Sequence, residues 1–572
     1  MSDNYPKISD KDFYTDISGK YKRFKIPANK KSLRKICFPK KYEFQIPQKF
    51  LAEFINPKTP YKGILVYHRI GAGKTCTAIN IAEKFKNVRR IMIVLPASLK
   101  GNIRSELRSA CAGNHYITDK ERIQLKKLHP SDPEYKDIIK KSDEKIDNFY
   151  TIYSYNKFTE LLNSDSLDLK NTLLIIDEIH NMISETGTYY ETLYNAVHSA
   201  PNSLRLVIMS ATPIFDKPIE IALTMNLLKR DEQLPTGSDF VNTFFDISYT
   251  KKGPQYSIKN MDIFKNFIKG YVSYYRGAPP HAFPRSEIKF VKCKMSIQQL
   301  KLYKHVIGKE VKKNKVKDYV NTDISNSFFI GSRMVSNFTF PNNQIGEEGF
   351  ESLEDDDLAL SNIKDFSPKF SKILRKIKKA NGTVFVYSNF KEFGGLRTFV
   401  RLLEHHRFKN YEYHGVGVKR FAIWSGDTNQ NIREEIRAVF NSKNNEDGSQ
   451  IKVILGSPSV KEGVSFLRIQ EVHLIEPYWN FSRMDQIIGR AIRFCSHKDV
   501  ILEKQLVKVY IYLASHPDIK RSIDEHIMKM ALDKKYVNGI FERALKEAAI
   551  DCELFYNANV YKKDDDKFVC DV

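Results

Sequence analysis

The sequence His68-Arg69-Ile70-Gly71-Ala72-Gly73-Lys74-Thr75 decides the fold of this chain. It follows the apolar run Gly63–Tyr67 and precedes a helical pattern of small and apolar residues over 78–82. A strand, a glycine-rich turn and a helix in this order are typical of a loop that binds phosphate. His68 stands where the strict G-x-x-x-x-G-K-T pattern has its first glycine. Taken alone, the loop leaves a glycine-rich surface turn as the alternative interpretation.

The residues of this loop have separate predicted roles. The backbone N–H groups of Gly71, Ala72 and Gly73 are expected to surround phosphate oxygens, and the helix N-terminus adds the positive end of its dipole. Lys74 is expected to reach the β- and γ-phosphates, and the Thr75 hydroxyl is expected to bind Mg²⁺. The loop therefore predicts ATP as the substrate and Mg²⁺ as the cofactor.

A second polar cluster follows the apolar run Leu173–Ile176. Asp177, Glu178 and His180 come directly after this predicted strand, at the edge where doubly wound sheets bind their ligands. Hydrolysis of ATP needs one carboxylate for Mg²⁺ and another to polarise the attacking water. We assign Asp177 to the first task and Glu178 to the second, as the catalytic base. An acidic cluster that faces solvent is the alternative.

The next predicted strand leads into the short motif Ser210-Ala211-Thr212-Pro213. The hydroxyl groups of Ser210 and Thr212 are predicted to link the hydrolysis site to contacts with nucleic acid. Because the tripeptide is common in proteins, this interpretation depends on its position after the phosphate-binding loop and the acidic cluster.

Three polar side chains recur in Gln486-Ile487-Ile488-Gly489-Arg490-Ala491-Ile492-Arg493, at positions i, i+4 and i+7. On a helix, Gln486, Arg490 and Arg493 would share one face. We expect that face to close over a triphosphate held by the first half of the chain. An arginine supplied in this way stabilises charge on the γ-phosphate and contributes about 10³–10⁵ in rate. An ordinary amphipathic helix with surface arginines is the alternative.

Apolar strands alternate with helical stretches in two series, which predicts an α/β fold with two parallel-sheet units in tandem. The first series has predicted strands at 64–67, 91–95, 150–155, 173–176 and 206–209. The second series has predicted strands at 384–387, 421–424, 452–455, 472–475 and 507–513. The predicted segments are a basic N-terminal extension (1–43), a first α/β domain (44–221), a connector with an inserted helical subdomain (222–365), a second α/β domain (366–518) and a helical C-terminal tail (519–572).

The composition narrows the class of function. The 572 residues include 92 lysines and arginines against 68 aspartates and glutamates, which gives a net charge of +24. Such an excess fits a polyanionic partner, most simply nucleic acid. No apolar run approaches the roughly 20 residues that span a membrane, so no membrane partner is expected. The lysine-rich run Lys309–Lys317 is interpreted equally well as a phosphate contact or as an exposed helix face.

The seven cysteines are scattered along the chain, without a C-x-x-C pair. Their odd number and irregular spacing predict reduced thiols in a cytosol-like compartment, with neither a zinc site nor a disulfide framework. The polar N-terminus does not have the pattern of a secretory signal peptide.

In this order and across two α/β units, the motifs GAGKT, DEIH, SAT and QIIGRAIR resemble those of the superfamily 2 helicases and translocases. Members of that superfamily clamp ATP between two RecA-like domains and grip the backbone of a nucleic acid. The resemblance implies that Gln48 reads adenine and that Gly463 approaches the nucleotide. It implies that Arg490 and Arg493 are arginine fingers. Coupling of the two sites would fall to His180, Ser210, Thr212 and Gln486, and contacts with the phosphate backbone to 96–100, 388–389 and 457–465.

Three further segments, 271–280, 336–341 and 548–552, resemble ATPases of large cytoplasmic DNA viruses. These are nucleoside triphosphatase I and the small subunit of the early transcription factor of poxviruses, a group close to the Swi/Snf-type translocases on duplex DNA. The resemblance implies a DNA-dependent ATPase in viral transcription, in initiation or termination, with viral RNA polymerase or transcription factor subunits as partners. It implies the virion and host cytoplasm as locations; otherwise we expect a cytoplasmic or nuclear protein that is not secreted.

The leading hypothesis is therefore a helicase or translocase that is driven by Mg²⁺-ATP. DNA is favoured over RNA on resemblance alone, since DEIH is close to a pattern that enzymes of both kinds share, so an RNA helicase stays open. A clamp that has lost its chemistry is a further alternative, against which the intact Lys74, Asp177 and Glu178 argue. The motor subunit of a restriction-type nuclease is another, although the flanks show no carboxylate cluster that would bind its metal.

Overall fold

The computed structural model describes every residue except 1–4, 29–31, 40–41, 70, 130–131, 185–186, 252, 313–316, 462–463, 562–566 and 572. The chain divides into two compact units. The first comprises Met1–Pro279 and Val537–Val572, and the second comprises Pro280–Tyr536. Within the described ranges, no helix has both the length and the apolar character needed to cross a membrane. Part of the lysine-rich run, 313–316, lies outside the described residues.

The first unit is built on a parallel sheet of six described strands in the order β3-β2-β4-β5-β1-β8. Its chain forms β1 (Gly63–His68), β2 (Arg90–Leu95), β3 (Tyr150–Ser154), β4 (Thr172–Asp177), β5 (Arg205–Ser210), β6 (Phe245–Thr250), β7 (Gly253–Ile258) and β8 (Val272–Tyr275). Strands β6 and β7 form a separate antiparallel hairpin. The strands β1 and β4 are almost fully buried because helices cover both faces of a parallel sheet, and this accounts for their continuous apolar sequences.

The helices of the first unit lie between these strands in the sequence. They are α1 (Phe13–Lys20), α2 (Leu33–Cys37), α3 (Ile46–Phe54), α4 (Lys74–Phe85), α5 (Lys100–Leu107), α6 (Asp119–Leu125), α7 (Pro133–Asp147), α8 (Tyr155–Asn163), α9 (Thr188–Ser199), α10 (Ile219–Leu228), α11 (Gly237–Phe244) and α12 (Met261–Ile268). Aromatic side chains of α3 pack into the core, where the Phe54 ring stacks on Tyr61 with 4.1 Å between centroids. Helix α4 carries the phosphate-binding loop at its N-terminus and is held against the sheet by Ile79, Ile81 and Phe85, all fully buried.

The second unit contains a parallel sheet of seven described strands in the order β11-β12-β13-β10-β14-β15-β9. These are β9 (Arg285–Lys294), β10 (Val384–Tyr387), β11 (Lys409–Asn410), β12 (Arg420–Trp424), β13 (Val453–Gly456), β14 (Glu471–Leu474) and β15 (Leu506–Ser515). Strand β9 pairs with β15 along its whole length, from Arg285 opposite Leu506 to Lys294 opposite Ser515. The core of this unit contains Phe370, Phe399 and Leu455.

The remaining helices are α13 (Ile297–Glu310), α14 (Ile330–Asn337), α15 (Glu347–Glu351), α16 (Ile363–Phe366), α17 (Pro368–Lys379), α18 (Leu396–His405), α19 (Tyr411–His414), α20 (Gln430–Phe440), α21 (Phe481–Ile488), α22 (Ile523–Glu547) and α23 (Cys552–Asn559). Helix α22 begins in the second unit and ends in the first. The predicted fold class is thereby confirmed: there are two RecA-like parallel sheets, and all ten predicted strands occur in them within one or two residues of the expected positions.

Packing distributes the predicted segments differently from the sequence-based boundaries. The expected connector 222–365 is shared, because β8 pairs with β1 in the first unit and β9 pairs with β15 in the second. The expected basic extension 1–43 contains α1, whose Phe13 and Ile17 are fully buried in the first core. The end of the expected tail returns to the same core through Phe555. Long-range strand pairing and burial of this kind leave no local trace in the sequence.

The expectation of reduced, unpaired cysteines is wrong for two pairs. Cys76 and Cys111 are joined as a disulfide with their Cα atoms 5.5 Å apart, and Cys552 and Cys570 with theirs 5.7 Å apart. Cys293 is free and buried. Irregular spacing did not reveal the first pair because the two residues are 35 positions apart and are brought together only by the packing of α4 beside the end of α5.

Candidate nucleotide site

The phosphate-binding loop connects β1 to α4 in a conformation that requires glycine. Gly71 has a φ of +84° and Gly73, which caps α4, a φ of +70°. A side chain at Gly73 would also place its Cβ 2.6 Å from Gln48 Nε2. Because the positive φ angles disfavour any residue with a side chain, and one at Gly73 would also displace the Gln48 amide, the loop is a tight glycine turn at the N-terminus of a helix, as the sequence predicts. Ala72 between the two glycines is fully buried.

Gln48 lies directly against this loop. Its Nε2 donates to the carbonyl of Gly73 at 3.1 Å, and its Oε1 accepts the backbone N–H of Gln45 at 2.8 Å. Asn80 on α4 donates through Nδ2 to the carbonyl of Gln48 at 3.0 Å. The structure thus fixes Gln48 at the loop from two sides, while its role in reading adenine stays a prediction.

Lys74, at the start of α4, meets the acidic end of β4. Its Nζ lies 2.8 Å from Glu178 Oε1 in a partly buried ion pair. Glu178 adopts a left-handed backbone conformation (φ +51°), and the Tyr155 hydroxyl donates to the carbonyls of Asp177 (2.6 Å) and Glu178 (3.0 Å). The carboxyl ends of β4, β5 and β1 are neighbours in the sheet, so Lys74, Thr75, Asp177 and Glu178 gather at one edge.

A series of contacts between polar groups connects Glu178 to the end of β5. His180 Nδ1 lies 3.4 Å from Glu178 Oε2 and 3.4 Å from Ser210 Oγ, and the backbone N–H of Thr212 donates to Ser210 Oγ at 3.0 Å. The imidazole of His180 stacks on Phe215, with 4.9 Å between ring centroids. Three of the four residues predicted for coupling, His180, Ser210 and Thr212, are therefore linked to Glu178, whereas Gln486 makes none of these contacts.

The expected helix through Gln486, Arg490 and Arg493 is not observed. Helix α21 ends at Ile488, and the backbone N–H groups of Arg490 and Ala491 bond instead to carbonyls three residues earlier. Gly489, a residue with low helix propensity, stands where the helix stops. Gln486 is thus helical, whereas Arg490 lies in the turn that follows the helix and Arg493 lies in irregular backbone beyond that turn.

The two arginines nevertheless converge. Arg490 Nη1 donates to the carbonyl of Val464 at 3.3 Å, and Arg493 Nη2 donates to the same oxygen at 3.1 Å. Val464 belongs to the segment 457–465, in which Gly463 lies outside the described residues, so the prediction for that glycine stays untested. Both guanidinium groups are therefore held at one backbone position of the second unit.

The segments expected to touch a nucleic-acid backbone differ in exposure. Ser388 is fully buried, and its hydroxyl donates to Glu476 at 3.0 Å. Glu476 also accepts the Asn337 side-chain amide at 2.9 Å, and burial raises the pKa of its carboxyl. The Ser388 side chain is therefore a structural group and does not reach a surface. Residues 96–100 follow β2 at the carboxyl edge of the first sheet, where Pro96 is buried and the side chains of Ala97 and Ser98 are exposed.

Sequence reasoning missed several residues that position this site. Tyr155, which holds the carbonyls after β4, and Phe215, which supports His180, belong to no recognisable motif. Glu476 had a usable signal, since it follows the apolar run of β14 as Asp177 follows β4. Ser273 and Asp551 lie too far along the chain for any local pattern to connect them with the loop.

The two RecA-like sheets and the loop at the edge of the first define a class of tandem-domain ATPases. Residues 37–215 match the family described as "Type III restriction enzyme, res subunit", and residues 368–495 match the "Helicase conserved C-terminal domain". These two matches cover the ATP-binding strands of the first unit and most of the second sheet.

Individual viral proteins are similar along nearly the whole chain. A protein of Acanthamoeba polyphaga mimivirus with the provisional name of ATP-dependent RNA helicase is 69% identical over 98% of each chain. A provisionally named helicase of Invertebrate iridescent virus 3 is 28% identical over 90% of this chain and 54% of its own length. The "Termination factor NPH-I homolog" of African swine fever virus is 25% identical over 86% of this chain and 76% of its own. The chain therefore belongs to the viral superfamily 2 helicases and is an ATP-hydrolysing enzyme.

Proposed function

We propose that this protein is a Mg²⁺-dependent ATPase that moves along duplex DNA in viral transcription. The main support for ATP hydrolysis is the contact between Lys74 and Glu178 at the phosphate-binding loop. A lysine and a carboxylate at this edge provide a phosphate ligand and a base for water, which are the groups that phosphoryl transfer requires. The proposed action on DNA in transcription is supported by similarity to a protein whose name describes a termination factor.

The ion pair suggests how nucleotide binding prepares the base. Lys74 Nζ contacts Glu178, and a γ-phosphate would compete with this carboxylate for the Lys74 ammonium. Once Lys74 turns to phosphate, the Glu178 carboxylate is free to accept a proton from the attacking water. We assign Glu178 as the catalytic base and Lys74 as the ligand of the β- and γ-phosphates.

The oxygen groups at the same edge fit a magnesium ion. The Thr75 hydroxyl and the Asp177 carboxylate are hard oxygen ligands, the type that Mg²⁺ prefers. When bound, the ion would neutralise charge on the β- and γ-phosphate oxygens. The Tyr155 hydroxyl supports this proposal, because it donates to the backbone carbonyl of Asp177 at 2.6 Å and so anchors the end of β4.

The second unit is proposed to complete the site through its arginines. Arg490 and Arg493 are both anchored at the carbonyl of Val464, so that a movement of the segment 457–465 would move both guanidinium groups together. An arginine placed on the γ-phosphate stabilises the charge of the transition state. We propose Gln486, with the chain from His180 to Thr212, as the link from hydrolysis to nucleic acid.

Displacement of a third strand from a DNA triplex tests movement along duplex DNA. We expect ATP-dependent displacement by the wild type and none by Glu178→Gln, which lacks the base. The strand release must require Mg²⁺. A protein that hydrolyses ATP on duplex DNA yet leaves the triplex intact would contradict translocation.

An RNA helicase is the second candidate, because the relative with 69% identity carries that name. The site contains no described group that distinguishes a 2′-hydroxyl from hydrogen. ATP-dependent separation of an RNA duplex, without displacement from the DNA triplex, would favour this candidate.

We also propose viral RNA polymerase or transcription factor subunits as protein partners, and the virion and host cytoplasm as locations. Both proposals rest on the resemblance of 271–280, 336–341 and 548–552 to poxvirus ATPases, and the name of the African swine fever virus relative, a termination factor, supports the first. Affinity purification of the full chain from infected cells, followed by mass spectrometry, tests them. Recovery of polymerase subunits is the expected result, and their absence from nuclease-treated complexes would contradict the partnership.

A further inference from the structure

Three buried polar side chains join the phosphate-binding loop to the C-terminal segment of the first unit. His68 Nε2 lies 3.1 Å from Ser273 Oγ, and Ser273 Oγ donates to Asp551 Oδ2. Asp551 Oδ1 accepts the backbone N–H of Tyr274 at 2.9 Å. The side chains of His68, Ser273 and Asp551 have no exposed surface. Buried polar groups of this kind must satisfy one another, because water does not reach them.

The backbone holds this chain of groups in place. Strand β8, which carries Ser273, pairs with β1, which ends at His68. The N–H of Ile550 donates to the carbonyl of Val272 at 2.8 Å. Asn559 donates through Nδ2 to the carbonyl of Tyr274 at 3.1 Å. The segment that contains Asp551 is thus fastened to the strand beside the phosphate-binding loop.

The chemistry of the three groups sets the direction of their hydrogen bonds. An ionised carboxylate only accepts, so the single proton of the Ser273 hydroxyl points to Asp551. Ser273 Oγ must then accept from His68, which places the proton of the neutral imidazole on Nε2. The other ring nitrogen, Nδ1, keeps its lone pair.

This second nitrogen lies at the loop. His68 Nδ1 is buried and has no hydrogen-bond partner among the described residues. Burial and the nearby Lys74 cation lower the pKa of His68 to about 3, so the ring is neutral. A bare nitrogen with partial negative charge is compatible with the Lys74 ammonium, whereas an N–H group in its place would oppose it.

We infer that Ser273 and Asp551, the latter in its ionised form, are positioning residues of the nucleotide site, which hold His68 in the Nε2–H tautomer and keep Nδ1 as an acceptor near Lys74. The inference rests on the proposed nucleotide site. It also gives a reason for His68 at the position of the first loop glycine. A glycine would remove the imidazole from which Ser273 Oγ accepts, and with it the side-chain link between the loop and Asp551.

The variant Asp551→Asn tests the tautomer without changing the shape of the side chain. Its amide oxygen still accepts from Tyr274, but its NH₂ group donates to Ser273 Oγ. The Ser273 proton then turns to His68 Nε2, and the imidazole proton moves to Nδ1. Burial raises the pKa of Asp551 to about 7, so the wild type is compared in the alkaline range, where the carboxyl is ionised.

The readout is ¹⁵N NMR of the full chain with labelled histidine and no nucleotide. The variant His68→Gln identifies the His68 signals by their loss. We expect the non-protonated nitrogen to be Nδ1 in the wild type and Nε2 in Asp551→Asn. The same tautomer in both proteins would overturn the inference. Ser273→Ala, which removes only a hydroxyl, provides a second variant in case Asp551→Asn does not fold, and it should give a mixture of tautomers.

Nucleotide binding tests the consequence for the loop. One hydrogen bond is worth about 0.5–1.5 kcal/mol, so we expect KM for ATP to rise about 2- to 10-fold in Asp551→Asn and Ser273→Ala. We expect kcat to change less than KM, since neither residue touches the substrate. Asp262→Asn, the same chemical change on the exposed side of α12, is the control and should match the wild type.

The two kinds of failure are distinguishable. A wild type that binds no ATP would refute the proposed nucleotide site. A wild type that binds ATP, together with folded variants whose KM is unchanged, would overturn the positioning role alone.

Discussion

At the scale of single residues, some groups of the nucleotide site lie in recognisable sequence motifs and others do not. Lys74, Asp177 and Glu178 lie in short motifs next to apolar strands, and the structure brings them together as expected. His68 appears as a departure from the loop pattern, and its partner Asp551 is 483 positions away. Local spacing carries no information about such a pair, because only the packing of β8 and the C-terminal segment joins them.

Glu178→Gln is expected to retain ATP binding and to lose turnover by several orders of magnitude. The amide keeps the shape and the contact near Lys74 but cannot take a proton from water. Binding is measured with a fluorescent ATP analogue, and turnover by release of phosphate. Glu191→Gln, on the exposed start of α9, is the matched control. Retained hydrolysis in Glu178→Gln would remove Glu178 from the role of base.

Asp551 predicts a pH dependence of stability. Burial raises the pKa of this carboxyl from 3.8 to about 7 in the folded chain. The folded state then holds a proton that the unfolded state has released, so the free energy of unfolding falls as pH rises from about 4 to about 7 and is constant above. The contribution is on the order of a few kcal/mol.

Asp551→Asn removes this titration and isolates it from those of other groups. Denaturant unfolding of both proteins at pH values across this range gives the comparison. We expect the variant to gain stability relative to the wild type as pH rises. A difference between the two proteins that does not change with pH would show that the carboxyl has an ordinary pKa.

At the scale of elements, helix α21 ends earlier than the sequence pattern predicts. The spacing of Gln486, Arg490 and Arg493 fits a helical face, but the helix ends at Ile488, and the two arginines lie in the turn and the irregular backbone that follow. Their meeting at the carbonyl of Val464 was not predictable, because it depends on a segment more than 20 residues earlier. The strand positions were predictable, since each buried strand has a continuous apolar sequence of its own.

Arg493→Ala is expected to slow ATP turnover at least 100-fold and to change ATP affinity little. An arginine finger acts on charge that develops at the γ-phosphate, and its removal costs about 10³–10⁵ in other enzymes of this chemistry. Arg437→Ala, on the exposed face of α20, controls for the loss of a surface charge. An unaltered rate in Arg493→Ala would mean that the second unit does not supply this group.

The disulfide between Cys76 and Cys111 predicts a redox effect on the element that carries the loop. Cys76 follows Thr75 on α4, so the bond fastens the loop helix to the segment after α5. A closed loop of 35 residues is expected to add about 3–4 kcal/mol to the stability of the oxidised chain.

Peptide mapping without reductant, before and after alkylation, checks this pair. We expect a linked peptide in the wild type and a lower melting temperature in Cys76→Ser and after reduction. Cys293→Ser, at the buried free cysteine, should leave the linked peptide intact. Alkylation of both Cys76 and Cys111 in the native protein would restore the original expectation of reduced thiols.

At the scale of the whole molecule, two parallel sheets and a net charge of +24 fit a helicase that binds a polyanionic partner. Apolar periodicity predicted both sheets, and four ordered motifs predicted the family to which the chain belongs. The grouping of segments was not predictable, because β8, β9 and the C-terminal helices join their units through contacts between distant parts of the chain.

The steady-state ATPase rate of the full chain, at fixed low salt, is the first measurement to make. It is compared without nucleic acid and with duplex DNA, single-stranded DNA and RNA, because phosphate contacts depend strongly on ionic strength. We predict a rate that rises mainly with duplex DNA and vanishes in Glu178→Gln. A rate stimulated only by RNA would contradict DNA translocation, and the absence of turnover under every condition would contradict the proposed ATPase mechanism.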